Sequence, residues 1–161
     1  MQRWAVLTFN LALSIGPIWA QVPPCRIRHL AAADDGGSAL GSTYTRLTLT
    51  NVSQADCRIE GPPRIQQYDW TGRRGEAVVE WPVRIVAEAE GARSVVLAPA
   101  HGTVLEIQTL NSTGYAPGKN CGVRLVISLP RTGHGALSIP VESCGLIRIS
   151  GYLPAGEGRL H

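Results

Sequence analysis

The sequence predicts an all-β fold, an antiparallel β-sandwich with two disulfides, and three observations carry that prediction. Short runs of alternating apolar and polar residues recur along the chain, separated by Gly, Pro and polar turn clusters. Helical periodicity is almost absent. Four cysteines follow an N-terminal stretch laid out as a secretory signal peptide, which places the rest of the chain in an oxidising compartment.

Residues 1–20 come first. Arg3 precedes an apolar run that reaches Ala20, and cleavage after Ala20 is expected. As a retained membrane anchor the run is short, and Asn10, Ser14, Gly16 and Pro17 interrupt it. Lipidation at Cys25 is disfavoured, because residues 21–24 lack the small-residue pattern that such processing requires. What remains, residues 21–161, has the length of a single β-sandwich domain able to bury its own core, with a short frayed tail from residue 154.

The segment at 44–63 organises the domain. Leu47 and Leu49 fall on one face of a strand and Arg46, Thr48 and Thr50 on the other, residues 51–56 form a polar turn, and Gly61-Pro62-Pro63 stops the strand that follows Cys57. Before it, residues 26–31 alternate as a first strand ended by Asp34-Asp35-Gly36-Gly37. After it come strands at 58–60 and 64–70, a turn at 72–75, and a run at 78–86 that Pro82 confines to a sheet edge. Residues 87–93 hold the one plausible helical turn. Strands at 94–97 and 103–109 flank a turn at 98–102, a loose loop spans 111–120, and strands at 122–129, 136–141 and 146–150 complete the set, with Val123, Leu125, Ile127 and Leu129 on one face.

Charge excludes one class of partner. Without Arg3 the chain keeps fourteen of its fifteen basic residues against twelve acidic ones, and they are scattered. Such a surface offers no stripe for nucleic acid. Cys25, Cys57, Cys121 and Cys144 allow three pairings, among which sequence alone does not choose. Cys25 with Cys57 and Cys121 with Cys144 is the favoured set, since it ties the first strand to the organising hairpin and the last strand regions to each other. Zinc ligands arrive as close cysteine pairs, absent here.

Order and spacing add a resemblance. Cys25, then 47–53 (Leu-Thr-Leu-Thr-Asn-Val-Ser), 57–63 (Cys-Arg-Ile-Glu-Gly-Pro-Pro), Val96-Leu97-Ala98-Pro99, the run from Cys121 to Ile127 with Pro130, and Cys144-Gly145 resemble the secreted bacterial domains grouped as domain of unknown function 4232. Pro62 stands where those domains usually carry an aromatic residue, and Ala100 where they usually carry glycine. The resemblance covers nearly all of the mature chain. It implies an immunoglobulin-like sandwich in or outside the cell envelope, and no activity or catalytic residue. Against true immunoglobulin domains, Cys57, Trp70 and Cys121 occur in the right order, but Lys119 occupies the position of the corner tyrosine and Cys57 follows a turn, so an antibody-type bridge is not expected.

Chemistry-bearing residues are few. Tyr68, Trp70 and Trp81, with Arg73 and Arg74 between the tryptophans, form the candidate ligand-binding group: aromatic faces stack on sugar rings, and guanidinium forks match carboxylate or phosphate. Tyr68 and Trp70 share parity on the expected strand and would point to one face. The competing reading buries these aromatics in the core. No metal or cofactor is expected, because His29, His101, His134 and His161 lack metal-motif spacing. Ser138, His134 and Glu142 make a generic triple without a nucleophile elbow. Glu76, Glu80, Glu88 and Glu90 read as solvated charge, and Asn51-Val52-Ser53 and Asn111-Ser112-Thr113 match the glycosylation sequon. The expectation is a non-enzymatic secreted or periplasmic module binding an envelope glycan or protein, with no nucleic-acid partner and no membrane span after cleavage. The alternatives are a structural component pairing through a sheet edge and, behind it, an unrecognised hydrolase.

Overall fold

The computed structural model describes residues 21–39, 41–86, 90–111 and 121–155. The expected signal segment, the centre of the 87–93 turn, most of the 111–120 loop and the end of the tail lie outside the described residues.

Among the described residues there are twelve strands: β1 Leu30–Ala39, β2 Ser42–Asn51, β3 Cys57–Glu60, β4 Arg64–Tyr68, β5 Arg74–Gly75, β6 Val78–Glu80, β7 Ser94–Leu97, β8 Gly102–Leu110, β9 Arg124–Ser128, β10 Leu137–Ile139, β11 Leu146–Ile149 and β12 Leu153–Pro154. One sheet runs β1-β2-β8-β11-β6, with β12 also on β8; a second runs β10-β9-β4-β5; β3 and β7 form a small third. Apart from the parallel pair β6–β11, all neighbours are antiparallel. The fold is all-β, as the alternation predicts.

Alternation places the core. Leu47, Leu49, Leu105, Ile107, Ile147 and Ile149 of the first sheet, Leu125, Ile127 and Ile139 of the second, and Ile59 and Leu97 of the third make one cluster, each at most 3% exposed. Burial of one such side chain stabilises the fold by about 1.5–3 kcal/mol. The cysteines pair as Cys25–Cys57 and Cys121–Cys144.

Several boundaries move. Asp34 to Gly37 do not end the first strand: residues 27–29 form a 3-10 turn, and β1 pairs with β2 from Leu30↔Asn51 to Ala39↔Ser42. Ladder hydrogen bonds to a long neighbour outweigh the poor strand propensity of Asp and Gly there. Val123 does not join the buried face of Leu125; it precedes β9, lies 46% exposed, and donates its backbone N–H to the Tyr68 carbonyl at 2.8 Å. The 78–86 run shortens to β6, an edge of its sheet as Pro82 requires. Within 87–93, the described residues show a bridge, Ala92 to Tyr152, where a helical turn is expected.

Candidate functional site

The site is built on the outer face of the four-stranded sheet. Directly opposed residues in a ladder share a face, so Tyr68↔Arg124 and Tyr68↔Arg74 set a tyrosine between two arginines in one row across β9, β4 and β5. Leu125, Ile127 and Gln67 take the alternate positions and are buried. The Arg124 guanidinium sits 5.2 Å from the centroid of the Tyr68 ring, a cation–π arrangement. Tyr68 donates its hydroxyl hydrogen to Gln66 Oε1 at 2.8 Å, which orients the ring.

Strand β4 ends at Tyr68, so Trp70 does not share its strand face as parity predicts. Trp70 lies at the tip of the β4–β5 turn, 84% exposed. The turn has its own clamp. Asp69 Oδ1 accepts from the Thr71 hydroxyl at 2.6 Å and from the backbone N–H groups of Thr71 and Arg73 at 2.9 Å each. The backbone adds Asp69 N–H to Arg73 O and Gly72 N–H to Asp69 O, both 3.0 Å, and Gly72 takes the left-handed φ of +82° that glycine permits. The Thr71 hydroxyl bond, with the backbone donors and the Arg73 charge behind it, holds the Asp69 carboxyl below its ordinary value of 3.8.

Between this tip and the start of β9 and end of β10 runs an open groove of about 560 Å³, lined by Trp70, Val123, Arg124, Ser138 and Pro140 with the turn backbone. Its β9 wall is tethered by Cys121–Cys144 and by the Gly122–Ser143 bridge. None of the ion pairs among the described residues uses Arg73, Arg74 or Arg124. An exposed indole thus stands beside the Arg124 guanidinium, which enters none of those ion pairs.

The structure divides the predicted group. Tyr68, Trp70, Arg73 and Arg74 gather on one hairpin. Trp81 does not join them: it follows β6 in the other sheet, packs partly buried against the core, and has Arg93 at 5.7 Å from its ring centroid. The core reading is therefore right for Trp81 and not for Trp70. Sequence reasoning missed Arg124, although its alternation with Leu125 places it on the outer face. Asn51 of the first sequon is fully buried, and its amide donates to Ala55 O at 2.8 Å and Leu97 O at 2.9 Å, so the folded domain offers it to no glycosyltransferase.

Ser138 and His134 line different grooves. The ligand atoms of Cys121, Glu142 and Cys144 lie within 4.8 Å of one another, but the two sulfurs are joined as a disulfide. No helix among the described residues is long and apolar enough to cross a membrane.

Fold and site together define a disulfide-pinned all-β domain that presents an aromatic and cationic surface. The chain belongs to the family described as domain of unknown function (DUF4232), whose model matches residues 25–155. Neither a curated protein nor a solved structure matches it.

Proposed function

We propose that this protein is a non-enzymatic binding module of the cell envelope or exterior, with an immunoglobulin-like scaffold, and that its ligand is an acidic glycan. The observation that carries this reading is the 84% exposed indole of Trp70, held on a hydrogen-bonded turn beside Arg124 and an open groove. A freely exposed tryptophan costs solvation unless a partner covers it, and a sugar ring fits its flat face. Arg124, Arg73 and Arg74 supply forks for the carboxylate of such a sugar. The two disulfides support the oxidising location.

The test is titration of the oxidised protein with acidic and neutral polysaccharides, alongside Trp70→Ala and Trp81→Ala. Trp70→Ala should weaken acidic-polysaccharide binding by about 2 kcal/mol, roughly thirtyfold, as for a central aromatic anchor. Trp81→Ala should lower the melting temperature and spare the affinity of the protein that remains folded. Failure of every acidic polysaccharide to bind, or equal binding by Trp70→Ala, would overturn the reading.

A further inference from the structure

We propose a second site, independent of the Trp70 groove: a phosphate-binding groove at the N-terminal edge, formed by Arg26, Arg28, Arg131 and His134. These four residues line one open cleft of about 570 Å³, and among the described residues its lining includes no carboxylate. The chain as a whole is nearly balanced, fifteen basic residues to twelve acidic, so this concentration is local. Like charges brought together repel one another, and an anion placed among them removes that cost.

Backbone bonds and a disulfide fix both walls of the groove. Cys25 is tied to Cys57, its N–H donates to Arg58 O at 2.9 Å, and Arg58 N–H donates to Pro23 O at 2.8 Å, which fixes the segment carrying Arg26 and Arg28 to β3. On the other wall, Ile27 N–H donates to Thr132 O at 3.0 Å, and the buried Thr132 hydroxyl donates to Leu129 O at 2.9 Å. The two walls are therefore locked in register, and ordering them costs little on binding.

Arg131 supplies a further observation. It follows Pro130 and has φ of +58°, the left-handed region, where a turn of this kind favours glycine. A strained arginine at a cleft lip points to use of its side chain. Among the described residues its one ion pair is with Glu60 at 3.5 Å, a long and exposed pair that Glu60 divides with Arg58, and such pairs bind weakly. Arg28 Nε donates to the His29 ring at 3.3 Å rather than to an acid. Arginines on both walls of one cleft suit a tetrahedral phosphate, which offers several anionic oxygens, better than a single carboxylate.

The ligand class is thus a phosphate group, from a soluble phosphomonoester or from a phospholipid headgroup. The test uses the oxidised protein purified from its own source, titrated with inorganic phosphate by amide NMR and mixed with vesicles of phosphatidylglycerol and phosphatidylcholine or of phosphatidylcholine alone. Saturable shifts at residues 26–28 and 131–134, or sedimentation with the anionic vesicles alone, are expected, the two arms separating the sources. Arg131→Gly, which relieves the positive φ, should fold at least as stably and yet bind roughly tenfold more weakly, the loss of one partly screened charged hydrogen bond. Arg28→Gln should weaken binding similarly, and both variants should retain polysaccharide binding. Absence of binding in both arms, or affinity unchanged in both variants, would overturn the site.

Discussion

Asn51 shows how much a single side chain can hold. Fully buried, it donates to the carbonyls of Ala55 and Leu97 and accepts at Oδ1 from the Ser53 N–H at 3.0 Å and hydroxyl at 2.8 Å, closing the turn after β2 onto the end of β7. Asn51→Asp keeps the shape and replaces two donations with repulsion between oxygens. It should cost about 2–4 kcal/mol of unfolding free energy, measured by urea titration. Ala100 is the opposite case. Its φ is +64°, in the left-handed region that favours glycine, and the exposed alanine pays a backbone penalty. Ala100→Gly should stabilise the domain by about 0.5–1 kcal/mol, the relief of strain less the added freedom of the unfolded glycine, read in the same titration.

Among the elements, the turn at 69–73 positions the candidate site. Asp69 gathers three donors, and its carboxyl is held below the usual range by the Thr71 hydroxyl first. The sign follows: the ionised form is favoured in the folded turn, so the clamp is fully present above pH 3.8 and is lost as pH falls through the lowered value. In the Trp81→Phe variant of residues 21–161, where Trp70 is the one tryptophan left, fluorescence anisotropy should fall over that acid range as the indole becomes more mobile. Asp69→Ala should show the same mobility at pH 7 and bind acidic polysaccharide more weakly. An unchanged tip in Asp69→Ala would mean that the backbone bonds alone hold Trp70.

For the molecule as a whole, the two disulfides close chain separations of 32 and 23 residues. Loop-closure entropy assigns each about 3–4 kcal/mol. Paired Cys→Ser replacements should therefore lower stability by similar amounts, followed by denaturant unfolding, but with different functional readouts. Loss of Cys121–Cys144 frees the start of β9 and should weaken polysaccharide binding at Arg124. Loss of Cys25–Cys57 frees the segment with Arg26 and Arg28 and should weaken phosphate binding instead.

What the sequence determined by itself is the all-β class, the buried faces of β2 and β9, and the family, because period-two alternation and the spacing of cysteines and turn residues are local properties of the chain. The favoured cysteine pairing was legible as a preference and no more, since three pairings satisfy the count. Tertiary structure decided the rest. Asp34 to Gly37 are strand because β2 offers them a ladder, Trp70 is outside and Trp81 inside because one ends a hairpin while the other follows an edge strand onto the core, and Arg124 meets Tyr68 through a register that joins residues 56 positions apart. Cross-strand neighbours and exposure depend on which strands pair, and alternation within one strand carries no information about its partner.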